Sequence, residues 1–270
     1  MFGGGTAAVF TVFDKTWNEY WANRWLVDHR HQIHGIFDYD RALADVIASS
    51  CRLHPGMRVY NPACGAGDQA RALARKGFMV TARDSAEPLI AYAKKRSDNE
   101  GLKIDFAVGD IRENGFREQF NAVLLLDGAF GEFGPDEDTR LLENLCKMVR
   151  PGGSIFVMFR TEDRLFGESK VWFEQDDGWL MCEEHYDEAE RVSYLDFVLV
   201  CDEGAMIRMR RPAEQPADIV RHCYAFDELK DILVGAGCEQ CTPLYAKQLI
   251  PHSGPLAENP IADIIVAQRP

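Results

Sequence analysis

The stretch Gly56-Met-Arg-Val-Tyr-Asn-Pro-Ala-Cys-Gly-Ala-Gly67 decides how this chain folds. Its first half is a short apolar run, typical of a buried strand, and its second half is a turn of small residues. An amphipathic segment follows at 68–76, with Ala70, Leu73 and Ala74 on one face of a predicted helix. A strand, a glycine-bearing turn and a helix in this order predict a βα unit of a parallel sheet.

The same alternation continues along the chain. Apolar runs predict further strands at 78–82, 103–108, 121–127 and 154–160, and amphipathic segments predict helices at 86–96 and 136–148. The second of these helices stops at Arg150-Pro-Gly-Gly153, because proline and glycine extend a helix poorly. One more helix is predicted at 227–234 and a closing strand at 261–267. The fold class is therefore α/β, a mostly parallel sheet with helices on both faces.

The period changes between Arg160 and Tyr224. Apolar and polar residues alternate at 179–185, 192–200 and 205–211, a pattern typical of antiparallel hairpins. We expect this insertion to cover a site rather than to extend the sheet. The predicted division is an N-terminal helical lid at 1–50, a core at 51–160, an antiparallel insertion over the substrate pocket at 161–224, and a C-terminal helix with closing strands of the core at 225–270.

The composition argues against several classes of protein. A net charge of −13 and a pI near 5.0 disfavour a nucleic-acid binder, which needs a clustered basic face. No apolar run reaches the roughly 18 residues of a membrane span, so we expect a cytoplasmic protein with no membrane partner. The 8 cysteines are scattered, and the lone CxxC at Cys238 and Cys241 is weak evidence for zinc, so reduced thiols are expected.

Polar and small residues follow three successive predicted strands. The turn Ala63-Cys-Gly-Ala-Gly67 follows the first, Asp84 ends the second, and Gly109-Asp-Ile111 follows the third. Ligands of open parallel sheets bind at the carboxyl ends of the strands. There, glycines let backbone N–H groups approach a ligand and a carboxylate commonly binds ribose hydroxyls. The pattern favours a nucleoside cofactor.

From about Leu53 to Arg160 the chain resembles the class I, Rossmann-like methyltransferases that use S-adenosylmethionine. Besides the three motifs above, the likeness includes Phe120-Asn-Ala-Val-Leu-Leu-Leu126, Ala129-Phe-Gly-Glu-Phe133 and Val149-Arg-Pro-Gly-Gly-Ser154. The resemblance implies a seven-stranded sheet with one antiparallel strand. It also implies S-adenosyl-L-methionine as cofactor and methyl transfer to a nitrogen, oxygen or carbon of a small molecule.

By this resemblance the cofactor site consists of the three strand ends and their neighbours. The turn should hold the methionyl part, Asp84 the ribose, and Asp110 with Ile111 the adenine. The full expected set is Asn61, Ala63, Cys64, Gly65, Gly67, Asp84, Ser85, Asp110, Ile111 and Leu126.

Two positions depart from the family pattern. The family usually has an acidic residue where Asn61 stands and a glycine where Ala63 stands. Asn61 keeps the capacity to hydrogen-bond but not the charge that would pair with the cofactor's amino group. Alanine at position 63 tolerates fewer backbone torsions than glycine does. We expect either weaker cofactor binding or a compensating contact.

The reaction itself needs an in-line nucleophile and exclusion of water more than an elaborate catalytic group. If a base assists, the candidates are Asp127, at the carboxyl end of the predicted fourth strand, and His185 or Tyr194 in the insertion. An exposed histidine on an alternating segment is also a common surface residue, and Asp127 is equally suited to capping the turn that follows it.

Aromatic residues precede the sheet. Trp17, Tyr20 and Trp21 have helical spacing, so they either cover the cleft or pack an N-terminal helix; with Phe130 they form the expected substrate set. Of three nearby histidines only His31 and His34 lie one helical turn apart, and no carboxylate or cysteine completes a set. We therefore predict no metal site.

Two other functions stay open. One is a catalytically silent subunit that binds the cofactor, supported by the changes at Asn61 and Ala63. The other is a protein methyltransferase, which a long open groove would favour. The expected partner is a small-molecule substrate, and a homodimer through the insertion is a further possibility.

Overall fold

The computed structural model describes residues 11–15, 36–113, 115–126, 128–161, 169–175, 178–201, 205–209, 219–245 and 263–270. The helices are α1 (Ile36–Ser50), α2 (Asp68–Arg75), α3 (Glu87–Asn99), α4 (Pro135–Met148) and α5 (Phe226–Gly235). The strands are β1 (Thr11–Lys15), β2 (Arg58–Asn61), β3 (Met79–Asp84), β4 (Ile104–Val108), β5 (Phe120–Leu125), β6 (Val149–Phe159), β7 (Ser169–Gln175), β8 (Gly178–Asp187), β9 (Val192–Cys201), β10 (Ala205–Met209), β11 (Ile219–His222), β12 (Glu239–Tyr245) and β13 (Asp263–Gln268). None of these helices is long and apolar enough to cross a membrane.

The larger sheet has seven strands in the order β12-β13-β6-β5-β2-β3-β4. The strands from β6 to β4 are parallel, whereas β13 runs antiparallel to both of its neighbours. The predicted seven-stranded sheet with one antiparallel strand is confirmed. Because the chain moves outward from β2 to β4 and then returns to β5, the strand order reverses between β2 and β5. This is the switch point at which sheets of this kind bind ligands.

Helices cover both faces of this sheet, as expected. One apolar layer contains buried residues of α1, α2 and α3, and the other contains those of α4 and α5. Successive residues of a central strand enter opposite layers: Val59 packs in the first and Tyr60 in the second, both fully buried. A parallel strand buried on both faces reads as a continuous apolar run, which is why these strands are visible in the sequence.

Helix α1 lies within the segment predicted to be a lid, 1–50. In the structure its Leu43, Ala44 and Ile47 are fully buried in the first apolar layer. The buried amide of Gln69, on α2, donates to the Asp40 carboxylate at 2.8 Å. This part of the segment therefore builds the core. The predicted aromatic residues Trp17, Tyr20 and Trp21 lie outside the described residues.

The second sheet contains the predicted antiparallel insertion. Its strands follow the order β1-β10-β9-β8-β7. Strand β9 pairs with β8 along one edge, and β10 and β11 share the other edge, one at each end. Strand β1 joins from the N-terminal part of the chain and pairs in parallel with β10.

Three arginine–glutamate pairs join the second sheet to the α/β core. Arg160, after β6, contacts Glu184 on β8 at 2.8 Å, and both side chains are nine-tenths buried. Arg191, before β9, contacts Glu228 on α5 at 2.6 Å. Arg221, on β11, contacts Glu132 at 2.9 Å. The insertion is thus held against the carboxyl edge of the larger sheet, where β6 ends and where the segment after β5 lies.

Candidate cofactor and active site

The turn after β2, which we call the glycine turn (residues 63–67), has an unusual backbone. Ala63, Gly65 and Gly67 all have positive φ angles, of 51°, 53° and 76°. Glycine adopts this left-handed conformation readily, whereas a residue with a Cβ loses roughly 1–2 kcal/mol there. Ala63, where the family usually has glycine, therefore carries this cost.

Asp84, at the end of β3, organises this turn. One carboxylate oxygen accepts a hydrogen bond from the Gly65 N–H at 2.7 Å, and the other accepts one from Ala86 N–H at 2.9 Å. Burial of the carboxyl raises its pKa above the usual value, and these two bonds oppose that rise. The adjacent strand also fixes the turn, because Cys64 N–H donates to the carbonyl oxygen of Arg83 at 2.9 Å.

The two glycines of the turn differ in surroundings. A Cβ placed on Gly65 would meet no described atom within 4 Å. A Cβ on Gly67 would lie 2.9 Å from Ala93 Cβ and from the Phe106 ring. Gly67 therefore lets α3 and β4 pack closely against the turn. Gly65 instead leaves backbone beside open space, as a ligand-binding turn requires.

Asn61 brings a buried polar group to the end of β2. It is 1% exposed, and its Oδ1 has no hydrogen-bond partner among the described residues. Its Nδ2 donates to the neighbouring Pro62 carbonyl at 3.3 Å. An unpaired buried oxygen is costly unless a ligand or water supplies a donor. The ammonium group of a methionyl moiety is a donor of the required kind.

The Cys64 thiol is not suited to act as a nucleophile. Burial, and then the negative charge of Asp84, raise its pKa well above the usual range. A protonated thiol beside the turn packs as a small apolar group.

The predicted adenine residues lie at the end of β4. Ile111 is 9% exposed and packs in the second apolar layer, and Asp110 is half-buried. The Asp110 carboxylate contacts Arg112 at 2.6 Å, and hydrogen bonds from Arg112 lower its pKa. The Arg112 guanidinium lies 4.8 Å from the centre of the Phe133 ring. Asp110 thus orients an arginine toward the segment after β5.

We call residues 128–134 the β5–α4 loop. Phe130, a predicted substrate residue, is 1% exposed, and its ring centre lies 4.9 Å from that of Tyr224. The Tyr224 hydroxyl donates at 2.8 Å to Asp138, which is fully buried at the start of α4. Desolvation raises the pKa of Asp138, and the bond from Tyr224 opposes that rise. The structure therefore places Phe130 in the packing that supports the loop, not on an exposed wall.

The remaining predicted positions have varied settings. Leu126 is 2% exposed, and Ser85 is exposed beside Asp84. His185 and Tyr194 are register partners on β8 and β9, with ring centres 6.2 Å apart. Asp127 lies outside the described residues. Among the described residues, no group of three His, Cys, Asp or Glu side chains is arranged to hold a metal ion.

Sequence reasoning missed Tyr224, Asp138 and Arg221. Each depends on a contact across the fold: Tyr224 and Asp138 are 86 positions apart, and Arg221 and Glu132 are 89 apart. No local motif marks such pairs. The one available signal is that the β5–α4 loop combines three glycines with an acidic residue.

Ala63→Gly is expected to stabilise the protein by about 0.5–1 kcal/mol, because relief of the left-handed strain exceeds the added entropy of the unfolded chain. Urea unfolding measures this. Arg52→Gly is the matched control, since Arg52 is exposed, has a φ of 52°, and lies outside the site. A gain for Arg52→Gly alone would show that the φ of residue 63 is not strained.

Part of this chain is similar in sequence to known methyltransferases. Residues 59–153 match a family model described as a methyltransferase domain. A ubiquinone biosynthesis O-methyltransferase of Xanthomonas axonopodis pv. citri is 32% identical over 111 residues, covering 40% of this chain and 45% of the relative. Rat glycine N-methyltransferase is 31% identical over 126 residues, or 42% of this chain and 43% of the relative. The chain therefore matches less than half the length of these relatives.

Solved structures agree over more of the chain. The CcbJ methyltransferase from Streptomyces caelestis has a TM-score of 0.69 at 17% identity, covering 95% of this chain and 99% of that one. CalS10, an amino pentose methyltransferase from Micromonospora echinaspora solved with S-adenosylmethionine, has a TM-score of 0.62 at 18% identity, covering 86% and 92%. At these identities the likeness concerns the fold.

The strand order, the switch point and the turn held by a carboxylate define a Rossmann-like fold, which the solved methyltransferase structures share. Within this fold, residues 59–153 are similar to a methyltransferase domain.

Proposed function

We propose that this protein transfers a methyl group from S-adenosylmethionine to a nitrogen, oxygen or carbon of a small molecule. The observation that carries the proposal is the pairing of Asp84 with the Gly65 N–H at 2.7 Å beside open space. This arrangement presents a carboxylate and a bare stretch of backbone to the same ligand. The match of residues 59–153 to a methyltransferase domain supports S-adenosylmethionine as that ligand.

The residues fit each part of the cofactor. The Asp84 oxygens each accept one backbone hydrogen bond and retain capacity for ribose hydroxyls. The unpaired Oδ1 of Asn61 suits an ammonium donor, which is the compensating contact expected where the family has an acidic residue. The turn leaves space at Gly65 for the methionyl part.

When bound, the cofactor supplies a methyl group on a sulfonium, which a nucleophile displaces in line. The chain's own contribution is then to hold the acceptor in that line and to exclude water. The second sheet is held against the carboxyl edge by buried pairs such as Arg160 with Glu184. It therefore supports a covered pocket for a compact acceptor. The role of Asp127 or His185 as an assisting base remains a prediction.

Calorimetry with S-adenosylhomocysteine, followed by transfer of labelled methyl to a panel of amines, phenols and amino sugars, tests the proposal. Binding with transfer to one class of acceptor is expected. Binding without transfer would favour the silent subunit suggested by Asn61 and Ala63. A wild-type chain that is folded but binds no S-adenosylhomocysteine would contradict both functions.

Asp84→Ala is expected to weaken binding of S-adenosylhomocysteine by about 1.5–3 kcal/mol, or about 10- to 150-fold. The loss has two causes, since the variant lacks both the ribose acceptor and the bond that orders Gly65. Asp105→Ala is the control, because Asp105 is exposed on β4 and pairs with Arg83. Equal affinities of a folded Asp84→Ala variant and the wild type would remove Asp84 from the site.

Cofactor affinity should also fall as the solution becomes acidic. Ribose hydroxyls donate to the charged carboxylate, and burial raises the pKa of Asp84, so protonation begins at a higher pH than for an exposed aspartate. Binding is therefore strong above that pKa and declines about tenfold per pH unit below it. Calorimetry across pH 4.5–8 measures the decline. The Asp84→Asn variant should bind weakly, and its affinity should depend less on pH than that of the wild type. An equally steep dependence on pH would assign the titration to another group.

A further inference from the structure

Strand β11 of the second sheet lies directly against the β5–α4 loop. His222 N–H donates to the Gly131 carbonyl at 2.8 Å. Gly131 has a φ of 96°, and a Cβ there would lie only 2.4 Å from the His222 carbonyl oxygen. Because no side chain fits between the two segments, the position of β11 is fixed relative to the loop.

This contact brings Arg221 over Gly128. A Cβ on Gly128 would lie 3.1 Å from Nη1 of Arg221 and 3.2 Å from its Cζ, so the guanidinium packs on the glycine backbone. Arg221 is 8% exposed. Gly128 closely follows the end of β5, at the carboxyl edge where parallel sheets bind substrates. A permanent cation is therefore buried beside the proposed reaction site.

The hydrogen bonds of this cation are incomplete. Its Nη2 donates to Glu132 at 2.9 Å, whereas its Nε is shielded from solvent and has no hydrogen-bond partner among the described residues. A guanidinium has five N–H donors in a fixed planar fork. A buried charged group with an unused donor is costly unless a ligand completes it. The absence of side chains at Gly128 and Gly131 is what lets Arg221 lie this close to the loop backbone.

We propose that Arg221 binds a carboxylate of a ligand in the active site. The proposal rests on the function proposed above, and the carboxylate belongs either to the acceptor or to the methionyl part of the cofactor. The planar fork matches a carboxylate geometrically. A phosphate carries about −1.5 to −2 charges at neutral pH and would need more than one cation, whereas Glu132 already offsets part of the charge of Arg221. A monoanion suits the site best.

Arg221 is then a positioning residue. A carboxylate held at the end of β5 fixes one end of the ligand relative to the sheet, which reduces the orientational freedom lost on reaching the transition state. Since Arg221 belongs to β11, this contact also gives the second sheet a direct part in ligand selection.

The test uses the double variant Arg221→Gln with Glu132→Gln, which removes the cation without leaving an unpaired carboxylate. The matched control is Arg191→Gln with Glu228→Gln, since this pair also joins the second sheet to the core. Calorimetry compares S-adenosylhomocysteine with 5′-methylthioadenosine, which lacks the amino-acid carboxylate. Thermal unfolding, with and without S-adenosylhomocysteine, compares the rise in Tm caused by benzoate with that caused by its neutral analogue, benzamide.

A fall of tenfold or more in affinity for S-adenosylhomocysteine, with unchanged affinity for methylthioadenosine, would assign the carboxylate to the cofactor. The carboxylate would be assigned to the acceptor by two results together. The double variant would bind the cofactor product as tightly as wild type does, and it would lose the rise in Tm that benzoate, but not benzamide, causes in the wild type and the control. The proposal would be overturned if the double variant matched the wild type both in cofactor affinity and in its response to benzoate. If the double variant does not fold, Arg221→Lys, which keeps the charge but not the fork, is judged by the same measurements.

Failure of the proposed function has a different signature. In that case wild-type protein would bind neither S-adenosylhomocysteine nor methylthioadenosine. The benzoate comparison without cofactor would still decide whether Arg221 binds a carboxylate.

Discussion

Gly65→Val is expected to abolish binding of S-adenosylhomocysteine while leaving a folded chain. The space around a Cβ at this position is open to 4 Å among the described atoms, so the new side chain meets no protein. It would instead occupy the volume assigned to the cofactor and narrow the approach to the N–H that Asp84 holds. Affinity should fall by more than about 100-fold, since a steric clash with a bound ligand adds to the lost backbone contacts.

The free energy of unfolding should fall only by the cost of a left-handed torsion, which is about 1–2 kcal/mol and somewhat more for a branched residue. Gly101→Val is the matched control, because Gly101 has a φ of 67°, is likewise free of described atoms within 4 Å, and follows α3 away from the turn. The two variants should unfold at similar urea concentrations, and only Gly65→Val should fail to bind. Normal binding by Gly65→Val would show that the turn does not contact the cofactor.

Gly67→Val should mainly destabilise the protein. Its φ of 76° disfavours any side chain, and a Cβ would come within 2.9 Å of Ala93 and the Phe106 ring, both of which are buried. Forcing α3 and β4 away from the turn adds about 1–3 kcal/mol to the torsional cost of about 1–2 kcal/mol, so a loss of about 2–5 kcal/mol is expected. That is a large share of the stability of an ordinary domain.

Urea unfolding separates these two contributions. Gly101→Val reports the torsional cost alone, so the excess loss in Gly67→Val measures the clash. Equal losses in the two variants would mean that α3 and β4 adjust freely around the turn. The pair Gly65 and Gly67 thus assigns one glycine of the turn to ligand binding and the other to packing.

The sequence predicted the parts of the fold that depend on local periodicity. Strands such as β5, with six buried residues in a row, can be recognised because both faces of a parallel sheet exclude water. Helix α1 was not distinguished from its surroundings, since its burial depends on packing against the sheet and on the contact between Gln69 and Asp40. The pairing of β1 with β10 has no local signature at all.

The candidate site shows the same division. Asp84 and the glycine turn were predicted because strand, turn and carboxylate follow one another at short spacing. The positive φ of Ala63 was not predicted, because local spacing does not specify the torsion of a single turn residue. Arg221 and the bond between Tyr224 and Asp138 were missed, because the partners come from distant elements whose docking the spacing of residues does not specify.

The pairing of β1 with β10 bears on how the chain assembles during its synthesis. Thr11 is the register partner of Ala205, so β1 has no partner until β10, far along the chain, has been made. The central strands of the larger sheet, in contrast, pair with elements close to them in sequence. Long-range pairings form slowly. We therefore expect the α/β core to appear first on the ribosome, with the second sheet completed by the return of its earliest-made strand.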